Sequence, residues 1–142
     1  MIDHQTLLTW TKQYLTSRDA FTKEIATIEE TKEWDLIVTL KNGIRRLYSI
    51  QEQFDAKELL PRLGTELVII IIPNTKKNLQ ELTDNWQALK TFPKLCLVFV
   101  NPESQTEKKW LLYPHTHDRI TDPLSLKLGL KSMFETVEEV NS

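Results

Sequence analysis

Cysteine, glycine and long apolar runs are all scarce in this sequence of 142 residues. Its one cysteine, Cys96, cannot form an internal disulfide, whereas small secreted domains usually contain several. The longest aliphatic run, residues 67–72, is far shorter than the ~20 residues that a membrane-spanning helix needs. The first residues form neither a basic nor an apolar segment, so we expect no signal peptide. These features predict a cytoplasmic protein with no membrane contact.

An excess of positive charge is also missing, because 18 lysines and arginines stand against 20 aspartates and glutamates, giving a net charge of −2. Dedicated nucleic-acid-binding domains usually carry a large positive excess, so nucleic acid is not the favoured partner, although a local basic patch remains open. The 3 glycines form no phosphate-binding loop, and no serine lies in a Gly-x-Ser-x-Gly turn. The sequence therefore contains neither a nucleotide-binding loop nor a serine-hydrolase motif.

The composition that is present is typical of one folded domain. Hydrophobic residues make up 40% of the chain and charged residues 27%, which allows an ordinary apolar core. A chain of this length buries enough surface to fold without disulfides or metals. No linker, repeat or low-complexity segment divides it, so we predict a single α/β domain over residues 1–142.

The first half of the chain predicts one helix followed by three strands. Apolar residues at helical spacing predict a helix over residues 3–16, with an aspartate at its N-cap. Residues 24–30 are rich in β-branched side chains and favour a strand, with an amphipathic helix as the alternative. Residues 34–41 and 44–50 flank Asn42-Gly43, which predicts a hairpin with a tight turn whose two central residues need positive φ.

The second half alternates helices with strands. Two solid aliphatic runs, residues 67–72 and 95–100, lack polar alternation and predict strands that are buried on both faces. The other predicted segments are a helix over residues 56–63 capped by Asp55, a helix from Asn78 onward, a polar loop over residues 103–109, a strand over residues 110–113 ended by Pro114, and a helix from Pro123 that includes Val137 and Val140.

This order of elements predicts the fold class. Strands that run parallel and are joined through helices require crossovers over the faces of the sheet. We therefore predict an α/β fold, with a mixed sheet, an N-terminal antiparallel meander, parallel central strands and helices on both faces.

Polar residues cluster where the predicted parallel strands end. The carboxyl ends of parallel strands share one edge of a sheet, and ligands of open α/β sheets usually bind there. The alternative is that these residues are solvated loop ends. The residues expected at this edge are Asp35, Gln51, Glu52, Gln53, Asn74, Lys76, Lys77, Asn101, Lys108 and Lys109.

An N-terminal helix, three meandering strands with an acid at the start of the second, then a helix and a parallel strand resembles the PD-(D/E)XK restriction-endonuclease-like superfamily. In that family, the acid on the second strand and an (E/Q)-x-K at the end of the third strand hold Mg²⁺, and the lysine positions or activates water. Hard oxygen ligands and a nearby cation suit this chemistry.

The resemblance assigns roles to four residues of this chain. Asp35 matches the first acid, Gln51 matches the (E/Q), and Gln53 stands where the family has its lysine. If the chain were a Mg²⁺-dependent nuclease, Asp35 would bind the metal together with Glu52 or with a carboxylate of the first helix or first strand. Because glutamine carries no charge, the set Asp35, Gln51, Glu52 and Gln53 implies a family member that has lost catalysis, and Trp34 stands where the family has a proline.

A separate cluster, His115, His117 and Asp118, contains residue types that bind Zn²⁺. The two imidazoles would share a face only if the backbone there were extended. A structural or solvated loop is the alternative. The doublets Lys76-Lys77 and Lys108-Lys109 would bind a phosphate backbone if they converged at the sheet edge, and otherwise serve solubility.

The sequence favours a non-catalytic interaction module that resembles a degenerate restriction-endonuclease-like domain and needs no cofactor. Its expected partner is another protein or a second copy of the chain, with nucleic acid less favoured. One alternative is a Mg²⁺-dependent nuclease acting on DNA or RNA. Another is a structural subunit of a larger assembly.

Overall fold

The strands form one sheet in the computed structural model, which describes residues 2–104 and 108–140. Within these residues six strands are present: β1 Ile25–Glu29, β2 Leu36–Leu40, β3 Arg45–Ile50, β4 Leu67–Pro73, β5 Leu95–Val100 and β6 Lys109–Leu112. They lie side by side in chain order, antiparallel from β1 to β3, parallel from β3 to β5, and antiparallel again at β6. The mixed α/β sheet predicted from the sequence is confirmed. Residues 105–107 of the predicted polar loop lie outside the described residues.

The helices of the described chain are α1 His4–Thr22, α2 Ala56–Leu59, α3 Lys76–Asp84, α4 Trp86–Leu89, α5 Pro114–Ile120 and α6 Leu126–Phe134. Single 3₁₀ turns follow α2 and precede α6. Asp3 caps α1, because its carboxylate accepts a hydrogen bond from the Thr6 N–H at 2.8 Å. No helix within the described residues is both long and apolar enough to cross a bilayer.

The two faces of the sheet carry separate apolar cores. Alternate residues of a strand point to opposite faces, so Ile70 joins one core while its neighbours Ile69 and Ile71 join the other. On one side α1 covers the sheet through Leu7, Leu8 and Leu15. The opposite core contains side chains from α2, α3, α4 and α6: Leu59, Leu82, Trp86, Leu89, Leu130 and Phe134. Helices on both faces are thus confirmed.

Three helix boundaries differ from the prediction. Helix α1 continues past residue 16 to Thr22 and ends where Lys23 adopts a left-handed conformation with φ +51°. Helix α3 begins at Lys76 instead of Asn78, because the Thr75 side chain caps it. The last helix ends at Phe134, so the residues beyond it are not part of a helical face.

The loop interpretation of residues 115–118 is wrong, because these residues lie in α5. Pro114 does end β6, but it also occupies the first turn of α5, where its fixed φ and missing N–H suit a helix start. The hairpin turn differs in a smaller way. Gly43 has φ +88°, whereas Asn42 avoids positive φ and accepts the Ile44 N–H through its side chain at 3.0 Å.

Candidate functional site

Asp35, the first acid of the predicted site, lies just before β2 and is bound at both carboxylate oxygens. Oδ2 accepts the Ile50 N–H at 2.6 Å, and His4 Nε2 lies 2.7 Å from Oδ1. Because a carboxylate only accepts hydrogen bonds, the imidazole is the donor. Asp35 therefore joins the start of α1 to the end of β3.

Glu52 also contacts His4, the residue that binds Asp35. Its Oε1 accepts the His4 backbone N–H at 2.9 Å, which satisfies one of the unpaired amides at the start of α1. Asp35 and Glu52 thus both contact His4, through different atoms. Gln51 is committed elsewhere, since its side chain bonds to Ser49 Oγ and to the Asp55 N–H. Gln53 is exposed.

The edge formed by the carboxyl ends of β4 and β5 is covered by residues 135–140. Asn74, which follows β4, donates through Nδ2 to the carbonyls of Phe134 at 3.1 Å and Val137 at 3.0 Å. Its own carbonyl accepts the Val140 N–H at 2.9 Å. Asn101, which follows β5, donates to the Glu138 carbonyl at 3.2 Å. These asparagines hold the chain over the place where ligands usually enter such a sheet.

The lysines predicted at this edge belong to different sides of the sheet. Lys76 and Lys77 begin α3, on the face opposite α1, and Lys76 Nζ lies 3.9 Å from Glu139 Oε1. Lys109 Nζ instead lies 4.5 Å from the ring centre of Tyr14 on α1. Lys108 is exposed beside it. The two doublets therefore do not combine as the topology suggested.

The cluster on α5 is held by neighbouring elements. His115 Nδ1 donates to the Lys90 carbonyl at 2.9 Å. Asp118 accepts from Trp86 Nε1 at 2.9 Å, and Lys90 Nζ lies 3.3 Å from its other oxygen. Residues two apart on a helix point in different directions, so His115 and His117 do not converge. Across residues 2–104 and 108–140, no group of three or more His, Cys, Asp or Glu is arranged to hold a metal ion.

Burial and local partners set the protonation of this cluster. The hydrogen bond from Trp86, aided by Lys90, holds the pKa of Asp118 below its ordinary value. Burial lowers the pKa of His117, although the neighbouring Asp118 opposes the shift. His117 Nε2 is buried without a hydrogen-bond partner, and the ring packs edge-on against Trp86. This surrounding favours the neutral imidazole.

Cys96 has no features of a nucleophile. Its side chain is buried in the core beneath α1, and burial raises the pKa of the thiol to about 11. A thiol with that pKa is almost entirely protonated at neutral pH and therefore unreactive.

A groove of about 870 Å³ lies along α1, beside the loop that leads to β6. Trp10 and Tyr14, one helical turn apart, stack with ring centres 5.3 Å from each other. Arg18 donates to the Tyr14 hydroxyl at 2.9 Å, and Phe21 is 90% exposed at the end of the helix. Among the described residues, the charged side chains on the lining are Lys12, Arg18 and Lys109, with no carboxylate.

This groove was not predicted as a site, because Trp10 and Tyr14 have the spacing of the apolar face of α1. A signal was nevertheless present. Leu7, Leu8 and Leu15 already supply the buried side of the helix, so Trp10 and Tyr14 form a second, half-exposed stripe. Of two such stripes on one helix, one can pack on the sheet while the other contacts a binding partner.

Scans of this chain against protein-family models, curated proteins and solved structures find no significant match.

Proposed function

We propose that this chain is a non-catalytic interaction domain that binds another protein and resembles a restriction-endonuclease-like domain without the catalytic set. The observation that carries the proposal is the state of Asp35. Both of its oxygens are engaged by protein donors, His4 and Ile50, so it serves as a joint between elements. Gln53 offers no positive charge at the position where the family has its lysine.

Two further features support binding over catalysis. The carboxyl ends of β4 and β5, where ligands of open α/β sheets usually bind, are covered by residues 135–140. The groove along α1, in contrast, is open, and it combines half-exposed aromatic rings with Arg18, which are residue types enriched at protein interfaces. Tyr, Trp and Arg are also the residues that most often dominate binding energy at such interfaces.

The test is a cleavage assay with Mg²⁺ or Mn²⁺ on duplex DNA, single-stranded DNA and RNA. We expect no cleavage above the buffer background. The variant Gln53→Lys restores the missing cation, and it should also be inactive because Asp35 is engaged by His4 and Ile50. Cleavage by the wild-type protein that disappears in Asp35→Ala would show that the chain is a metal-dependent nuclease.

A further inference from the structure

We propose that the free edge of β6, together with the α1 groove, receives an acidic, extended segment of a partner protein as a seventh strand of the sheet. This inference rests on the proposed function and specifies the partner's chemistry. It is carried by three features that meet at one place: a strand with one open edge, exposed apolar side chains, and cations that have no carboxylate partner among the described residues.

The first feature is the strand edge. Within the described residues β6 pairs only with β5, through four regular positions from Leu97↔Leu112 to Val100↔Lys109. Alternate backbone N–H and C=O groups of such a strand point away from its neighbour and can pair with an added strand. The other edge is different, because the register of β1 shifts between Ile25 and Thr27. Irregular edge strands resist further pairing, and β6 lacks that protection.

The second feature is apolar surface beside this edge. Leu111 is 42% exposed and Tyr113 is 41% exposed. Leu111 pairs with Val98, which belongs to the core beneath α1, so Leu111 faces the α1 side of the sheet. Tyr113, two residues later, continues on that side. Side chains of an added strand on this face would cover both residues.

The third feature is charge. Arg18 and Lys109 form no ion pair with any described residue, and their polar contacts are to Tyr14. Lys12, the remaining cation of the groove, has Glu30 at 3.0 Å. The whole chain has a net charge of −2, so this cationic surface is local. It complements carboxylates on the partner.

The same contacts favour a peptide over a single-stranded nucleic acid. Binding of bases would need free aromatic faces. The Tyr14 ring already carries Trp10 at 5.3 Å and the Lys109 ammonium at 4.5 Å, so a base could stack on Tyr14 only by displacing one of them. The exposed Phe21 offers a single ring at the end of the groove. A strand instead needs the backbone edge of β6. We therefore expect carboxylates beside Lys109 and apolar side chains, two residues along, beside Leu111 and Tyr113.

The test is an NMR titration of the ¹⁵N-labelled protein with a peptide in which one Glu and two Val are separated by single threonines, so that all three can face the α1 side of the sheet. The expected result is a set of chemical-shift changes confined to β6 and the facing residues of α1. The double variant Arg18→Glu/Lys109→Glu should bind this peptide at least about fivefold more weakly, since it reverses both unpaired cations. The matched control Lys57→Glu/Lys127→Glu reverses two exposed lysines, on α2 and α6, and should bind as the wild type does. Circular dichroism establishes that each variant is folded.

Other outcomes would distinguish binding of an acidic peptide from nucleic-acid binding, self-association and catalysis. Equal binding of the same peptide with Lys in place of Glu, or an absence of shifts on β6, would overturn the proposal while leaving a non-catalytic domain in place. An oligothymidylate that binds and is lost in the double variant would assign the groove to nucleic acid. Concentration-dependent self-association through β6 would assign the edge to a second copy. Metal-dependent cleavage, in contrast, would overturn the proposed function itself.

Discussion

At the scale of single residues, Asp35 contributes stability. Its carboxylate accepts hydrogen bonds from His4 and from the Ile50 N–H, and asparagine at the same position would lose the charge and one acceptor. We expect Asp35→Asn to lower the free energy of unfolding by about 1–2 kcal/mol, because the bonds are charge-assisted but partly exposed to water. Urea unfolding followed by tryptophan fluorescence measures the change.

Glu52→Gln is the matched control for Asp35→Asn. The amide retains an acceptor oxygen for the His4 N–H, so the free energy of unfolding should change by less than about 0.5 kcal/mol. A gain in stability on replacing Asp35 would contradict the structural role, since residues kept for function are commonly held at a cost in stability.

Asn74 is the residue that fastens the end of the described chain to the sheet. It is fully buried, and it donates to the Phe134 and Val137 carbonyls while accepting from Trp110 Nε1 at 2.8 Å. Asn74→Asp would place a carboxylate against two carbonyls. We expect a loss of more than about 3 kcal/mol in unfolding free energy, because buried groups would be left unpaired. Chemical denaturation measures this loss, and a change under about 1 kcal/mol would show that residues 135–140 are not held by Asn74.

His117 predicts a dependence of stability on pH. Burial lowers the pKa of the folded-state imidazole below the ordinary value of 6.5, so the folded protein favours the neutral ring. Its contribution to stability is complete above pH 6.5, and it is lost as the pH falls from there through the folded pKa, since the unfolded chain takes up the proton first. His117→Leu should therefore remove part of the stability loss that the wild type shows in this range. Parallel pH profiles of wild type and variant would contradict the assignment.

At the scale of elements, the strands and helices with the clearest sequence pattern were predicted best. Strands β4 and β5 were predictable because each is a solid aliphatic run, and both are buried along nearly their whole length. The hairpin was predictable from Asn42-Gly43. Helix α5 was missed because Pro114 suits both the end of a strand and the first turn of a helix, and the following residues have no apolar periodicity.

The candidate site was less predictable than the fold, because side-chain partners come from distant parts of the chain. Topology predicted Asp35 and Glu52 at one edge of the sheet, and in the structure both contact His4. It did not show that His4, which lies 31 residues from Asp35 in sequence, contacts both. Likewise, Lys109 could be placed at the end of β5 but not over Tyr14. Such contacts depend on the angle at which α1 crosses the sheet.

The element most important for the core is β4. Ile70 is fully buried and lies between Ser49 of β3 and Leu97 of β5. We expect Ile70→Ala to cost about 2–5 kcal/mol in unfolding free energy, through lost burial and the cavity left behind. Ile44, which is 55% exposed in the hairpin, is the matched control, and its alanine variant should change stability little. Similar losses in both variants would contradict the central position of β4.

At the scale of the whole molecule, the carboxyl edge of the sheet is covered, whereas the side formed by β6 is open. Residues 135–140 and their asparagine contacts close the carboxyl edge of the sheet, whereas β6 and the α1 groove leave its side open. Asp35 and Glu52 hold the start of α1 against the sheet through His4. Helix α1 in turn forms one wall of that groove. The proposed binding function and the proposed structural role of Asp35 therefore depend on the same residues.

The central claim is that Asp35 is a structural residue and does not bind metal. Mn²⁺ binding followed by electron paramagnetic resonance tests it most directly. Carboxylates that are already bound by protein donors should not capture the ion, so the signal of free Mn²⁺ should be the same with and without protein at millimolar metal. Asp35→Asn should give the same signal as the wild type. Stoichiometric loss of the free-ion signal in the wild type, restored in Asp35→Asn, would show that Asp35 is a metal ligand and would contradict the account.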